Sequence, residues 1–83
     1  MSLTWYTSSQ VDSFQEAIET GMIAANLTQS AKTKKEWDLV AKQWQKAIEL
    51  LKSVSNSSAN YGKAQIKIEE YSKNLKYANQ RLY

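Results

Sequence analysis

The chain contains no cysteine, no histidine and no proline, and only two of its 83 residues are glycine. The absence of cysteine excludes disulfide bonds, thiolate nucleophiles and thiolate metal ligands. The absence of histidine removes the side chain that most often acts as a general base near neutral pH, and no Ser/Lys or Gly-rich arrangement replaces it. We therefore predict a protein without enzyme activity, with no catalytic residue, no cofactor and no metal site.

Long hydrophobic runs are also absent. No apolar run approaches the roughly 18 residues that a membrane-spanning helix needs, and the N-terminal MSLTWYTSSQ lacks the charged start and apolar centre of a signal peptide. These two absences predict a soluble protein with a cytoplasmic location. The formal net charge is +3, and it is unevenly distributed, because all eleven basic residues lie after residue 30.

The first of three helical patterns predicts a helix over residues 9–30. Its apolar residues recur every three or four positions, which is the spacing of one helix face. The predicted core face contains Phe14, Ile18, Met22 and Ala25, widened by Ala17, Ala24 and Leu27. Asp12, Glu16 and Glu19 share another face, which we interpret as a solvated first turn rather than a calcium or magnesium site. Gly21 is expected to allow another helix to approach closely.

The second pattern predicts a helix over residues 34–54. Thr33 and Glu36 have the spacing of a capping box, in which each side chain bonds to the backbone N–H of the other residue. The apolar residues of this helix keep a spacing of three and four throughout: Trp37, Val40, Trp44, Ala47, Leu51 and Val54. Both tryptophans therefore lie on one face, and we predict that this face belongs to the core.

The third pattern follows the turn-forming segment SNSSAN and predicts a helix over residues 58–82. Its predicted core residues again recur every three or four positions: Tyr61, Ala64, Ile68, Tyr71, Leu75, Ala78 and Leu82. Short connections place neighbouring helices antiparallel. The sequence therefore predicts an all-α fold in which residues 1–83 form a single domain, an up-down-up antiparallel three-helix bundle.

Two helical families have core patterns like those of this chain. The spacing W37-x2-V40-x3-W44-x2-A47-x3-L51 resembles the second helix of MIT domains, the three-helix modules of ESCRT-associated ATPases, and K67-x2-E70-Y71 is similar to their third helix. The segment W44-x2-A47-I48-x2-L51, followed by A64-x3-I68-x2-Y71, resembles a tetratricopeptide (TPR) helical hairpin. The ending Tyr71 to Ala78 is similar to small domains of uncharacterised cyanobacterial proteins. The MIT-like and TPR-like resemblances imply a helical adaptor that binds other proteins.

Several residues of the second and third predicted helices lie beside the core faces. We predict that they border a groove between these two helices, in which a helical or acidic segment of a partner protein binds. The predicted partner-binding residues are Leu39, Leu50, Ile66 and Tyr77, with Lys46 and Lys73 at the rim. The alternative is that the apolar members of this set belong to the core, because each helix of a bundle needs a wide apolar face.

Two other functions are compatible with the sequence. The lysines of the second and third helices could bind the phosphates of a nucleic acid, as in a small regulatory protein. Alternatively, the domain could be a structural unit that forms homo-oligomers. Trp5 and Tyr6 precede the first helix, and they are expected either to fold back against it as a hydrophobic staple or to be exposed.

Overall fold

The computed structural model describes residues 13–82, which form three helices: α1 (Phe14–Ser30), α2 (Lys34–Lys52) and α3 (Tyr61–Gln80). α2 packs against both other helices, whereas α1 and α3 touch each other far less. Ser13, at the start of α1, bonds to Leu50 near the end of α2. Trp37, near the start of α2, contacts Tyr77 near the end of α3. The predicted all-α, up-down-up three-helix bundle is thus confirmed, with α2 in the centre.

The start of α1 is joined to the end of α2 by hydroxyl groups. The Oγ of Ser13 donates a hydrogen bond to the carbonyl oxygen of Leu50 at 2.5 Å and lies 2.5 Å from the Oγ of Ser53. The Ser53 hydroxyl donates to the same carbonyl at 2.7 Å. α1 ends at Ser30, as predicted. Residues 9–12 of the predicted first helix lie outside the described residues, as do Trp5 and Tyr6.

The start of α2 is fixed by the predicted capping box. The backbone N–H of Glu36 donates to the Thr33 hydroxyl at 3.1 Å, and the N–H of Thr33 donates to the Glu36 carboxylate at 2.9 Å. The same carboxylate accepts a further hydrogen bond from the N–H of Lys32 at 2.7 Å. These three bonds pair backbone N–H groups at and just before the start of the helix, which explains why α2 begins at Lys34.

α3 is shorter than predicted, because side-chain hydrogen bonds hold the preceding segment in turns. The N–H of Ser57 donates to the Ser55 hydroxyl at 3.1 Å, and the N–H of Asn60 donates to the Ser58 hydroxyl at 2.9 Å. Such local bonds compete with helix formation. The helix therefore begins at Tyr61 rather than at residue 58, and it ends at Gln80 rather than at residue 82.

The core is built around the predicted face of α2. Leu51 and Val40 are its largest fully buried side chains, and Trp37 and Trp44 are 7% and 5% exposed. α3 contributes three buried residues spaced seven apart: Ala64, Tyr71 and Ala78. The prediction that both tryptophans belong to the core is confirmed. Tyr61 is an exception among the predicted core residues, since it is 38% exposed at the first turn of α3.

The predicted core face of α1 is wrong for its central residues. The buried residues of α1 are all small: Ala17, Thr20, Gly21 and Ala24. A Cβ atom added to Gly21 would lie 2.5 Å from Cζ of Tyr71, so the backbone of α1 touches the tyrosine ring of α3 directly. This contact requires a glycine, and it turns the larger side chains outward. Met22 is consequently 61% exposed.

Candidate functional site

A groove of about 360 Å³ lies between α1 and α3 and is open to solvent. Its floor is formed by Gly21 of α1, Trp44 of α2 and Tyr71 of α3. The remaining residues of α1 that line it are Met22, Ala25 and Thr28, and those of α3 are Lys67, Glu70, Asn74 and Tyr77. The groove exists because α1 and α3 are both packed on α2 and make little contact with each other.

The floor of the groove is aromatic and rigidly packed. The rings of Trp44 and Tyr71 are tilted by 54°, with centroids 4.9 Å apart, and each residue is 5% exposed. Burial raises the pKa of the Tyr71 hydroxyl; the nearby positive charge of Lys67 lowers this pKa and the negative charge of Glu70 raises it, both to a smaller extent. The phenol is therefore neutral at physiological pH. The floor offers an apolar surface with one hydroxyl group.

The two walls of the groove differ in chemistry. The α1 wall carries Met22 and Ala25, and the hydroxyl of Thr28 donates within the helix to the carbonyl of Ala24 at 2.9 Å. The α3 wall is polar, and its Lys67 and Glu70 form an ion pair at 3.3 Å. An apolar wall facing a polar wall is the arrangement that an amphipathic segment would match.

One end of the groove is bordered by two aromatic side chains and a cationic one that contact each other. Tyr77 of α3 meets Trp37 of α2 edge to face, with ring centroids 5.8 Å apart and an interplanar angle of 74°. The guanidinium of Arg81 lies 5.4 Å from the Tyr77 ring centroid and 5.3 Å from that of Trp37. Cations at such distances are attracted by the electron-rich ring faces. Arg81 is thereby held beside the last α3 residue of the groove.

The structure spreads the six predicted partner-binding residues over several surfaces. Tyr77 is 49% exposed and lines the α1–α3 groove. Leu39 and Ile66 are 49% and 67% exposed and do not line it. Leu50 is partly buried against the core, which agrees with the alternative prediction that the apolar members of this set belong to the core. The two rim lysines, Lys46 and Lys73, are exposed on α2 and α3.

The groove residues of α1 were missed because they were assigned to the core. Ile18, Met22 and Ala25 have the spacing of a core face, yet Met22 and Ala25 are exposed and line the groove. The expectation that Gly21 allows another helix to approach closely is confirmed by its contact with Tyr71 of α3. Ala17, Gly21 and Ala24 are small residues at positions i, i+4 and i+7, and such a row marks the face along which two helices approach most closely.

The described residues contain neither of two other kinds of site. Within residues 13–82, no three acidic side chains come close enough together to hold a metal ion. Asp12, which belonged to the acidic face of the first predicted helix, lies outside this range. Over the same part of the chain, none of the three helices combines the length and the apolar character needed to cross a membrane.

Comparisons with known proteins do not indicate a function, so the groove is the main structural evidence for one. No protein-family model matches the chain, and no curated protein or solved structure matches it either. The resemblance to MIT-like and TPR-like modules therefore stays a prediction.

Proposed function

We propose that the protein is a non-enzymatic interaction module that binds an amphipathic helix of a partner protein in the groove between α1 and α3. The observation that carries this proposal is an open groove with an aromatic floor, bordered by two helices that hardly touch each other. The proposal keeps the helix-in-groove mode expected from the sequence and moves it from the α2–α3 side to the α1–α3 side.

The dimensions of the groove favour one face of a helix as the occupant. On α3 the lining residues run from Lys67 to Tyr77, which corresponds to roughly 15 Å at 1.5 Å per residue. A partner helix of about three turns would cover this length. The volume of about 360 Å³ is that of a small-ligand site, so it suits a few inserted side chains, while the body of the partner helix stays above the groove.

The chemistry of the lining favours an amphipathic occupant. The partner's apolar side chains would cover Met22 and Ala25 and rest on the ring of Trp44. The side-chain amide of the half-buried Asn74 forms no hydrogen bond with another described residue, so it can donate to and accept from polar groups of the partner. Covering Met22 would also remove a large exposed apolar side chain from water, which is favourable in free energy.

Site-specific photo-cross-linking tests the location of the interface. A benzophenone amino acid replaces either Met22 or Ile23 in the cells that naturally make the protein. The two positions are adjacent and similarly exposed, at 61% and 51%, but only Met22 lines the groove. We expect a discrete cross-linked protein from position 22 and none from position 23. Equal capture at both positions, or capture at neither, would contradict the proposal.

A second pair of variants tests the groove with the captured partner after purification. Ala25→Glu places a charged side chain in the groove, whereas Asn26→Glu places one at the next exposed position of α1 outside it. We expect the first to weaken binding at least tenfold and the second to leave the Kd within about twofold. Circular dichroism should be unchanged in both, because neither residue is buried. Equal effects of the two variants would show that the partner binds elsewhere.

A further inference from the structure

Arg81 combines two aromatic contacts with the absence of a carboxylate partner among residues 13–82. Its guanidinium is within 5.4 Å of two ring centroids, those of Trp37 and Tyr77. Two of the nine lysines on α2 and α3 have acidic partners, Lys42 with Asp38 at 3.0 Å and Lys67 with Glu70 at 3.3 Å, whereas the aromatic contacts with both Trp37 and Tyr77 belong to Arg81. Among the described residues, no carboxylate lies within 4.0 Å of the Arg81 guanidinium.

The aromatic contacts bring the guanidinium of Arg81 to the end of the groove without neutralising its charge. A guanidinium has five N–H donors, and a side chain already in contact with two rings loses less conformational entropy when a carboxylate binds.

The charges around the groove lead to the same conclusion. The α1 wall contributes no charged residue to the lining, and neither Glu16 nor Glu19 is part of it. On the α3 wall the charges of Lys67 and Glu70 compensate each other. Arg81, beside Tyr77, therefore makes that end of the groove positive, and an acidic side chain of the occupant would complement it.

We propose that the helix bound in the groove carries an aspartate or glutamate side chain that binds Arg81, at a fixed distance from the apolar residue that rests on Trp44 and Tyr71. This inference rests on the proposed function. Arg81 lies over Tyr77, which comes six residues after Tyr71 in α3. Six residues correspond to roughly 9 Å along the helix axis. A partner helix lying along the groove would then carry the acidic residue about seven positions, or two turns, from its apolar anchor.

The experiment is a selection from a library of helical peptides, displayed on phage between neutral flanking residues and panned against the purified 83-residue protein. One face of the peptides is randomised over three turns. We expect enriched peptides to share an apolar anchor and an acidic residue roughly seven positions away. Panning against Arg81→Gln should keep the anchor and lose the acidic residue. Panning against Lys76→Gln, the same charge change at an exposed position of α3 outside the groove, should keep both.

Affinities measured with one enriched peptide provide the quantitative test. Arg81→Gln should weaken its binding about 5- to 10-fold, and Lys76→Gln by less than twofold, because only the former removes a direct ion pair. A peptide in which glutamine replaces the acidic residue should bind wild type and Arg81→Gln equally. The indole N–H signal of Trp44 in a nitrogen-15 NMR spectrum should shift with every bound peptide, which locates binding at the groove.

The outcomes separate this inference from the proposed function. If enriched peptides shift the Trp44 signal but show no preference for an acidic residue, the inference is wrong and the groove still binds helices. Equal weakening by Arg81→Gln and Lys76→Gln would also overturn it, because net charge alone would explain the effect. Failure to enrich any peptide that shifts the Trp44 signal would overturn both.

Discussion

Replacement of Gly21 by alanine tests the contact between α1 and Tyr71 at the floor of the groove. In the structure, an added Cβ would lie 2.5 Å from Cζ and 2.8 Å from Cε2 of Tyr71, closer than real Cβ atoms approach other heavy atoms. Tyr71 packs on Trp44, with ring centroids 4.9 Å apart, so the tyrosine ring cannot move away without disturbing the groove floor. Gly21→Ala must therefore shift either α1 or the Tyr71 ring.

Two opposing effects determine how much Gly21→Ala changes the free energy of unfolding. Alanine is favoured over glycine in the interior of a helix by up to about 1 kcal/mol, whereas overpacking a tightly packed site costs about 1 to 3 kcal/mol. We expect a net loss of roughly 1 kcal/mol in the free energy of unfolding. For a domain of this size, that loss lowers the melting temperature by about 4 to 8 °C. The assay is thermal and urea unfolding followed by circular dichroism.

Gly62→Ala is the matched control, because a Cβ at Gly62 would meet nothing within 4 Å. It changes the same residue type in a helix without the clash, so it should leave the protein equally stable or slightly more stable. The difference between the two variants then measures the overpacking alone. If Gly21→Ala is as stable as Gly62→Ala, the close approach of α1 to Tyr71 is refuted. Adding Tyr71→Phe, which removes the nearest atom, should recover part of the loss.

Four further predictions concern the core, the α2 cap and two titrating side chains. Trp44→Ala should lower the free energy of unfolding by about 3 to 5 kcal/mol, measured by urea unfolding, because it empties the centre of the core. Thr33→Ala should cost about 0.5 to 2 kcal/mol by removing the α2 cap. Backbone hydrogen bonds lower the pKa of Glu36 from 4.5 in the folded state, so the stability that its carboxylate gives the fold should be complete above pH 4.5 and should be lost as the pH falls below that value. In melting experiments at different pH, a Glu36→Gln variant should lack this part of the acid dependence. Burial raises the pKa of Tyr71 above 10.0, so stability should fall as the pH rises past 10, and less steeply in Tyr71→Phe when melting is measured at alkaline pH.

The features of α2 could be predicted from the sequence because they depend on local patterns. The capping box needs only Thr33 and Glu36 at the right spacing, and the structure forms both of its hydrogen bonds. The face containing Trp37 and Trp44 is buried because α2 lies between the other two helices, so its large apolar residues face a neighbour on either side. In a central helix, apolar periodicity and burial coincide, and the core assignment follows directly.

α1 could not be predicted in the same way, because it packs mainly on one other helix. The apolar periodicity of α1 predicts that the face with Met22 and Ala25 is buried. In the structure the buried face is instead that of the small residues around Gly21, where the helix backbone touches Tyr71. Which of the two faces is buried depends on Tyr71, which lies more than forty residues away from Gly21 in the chain. A helix that buries its glycine and alanine side leaves its larger apolar side chains outside, as Met22 shows. The same packing therefore forms the bundle and gives the groove between α1 and α3 its apolar wall of Met22 and Ala25, a feature that the apolar periodicity of α1 alone does not predict.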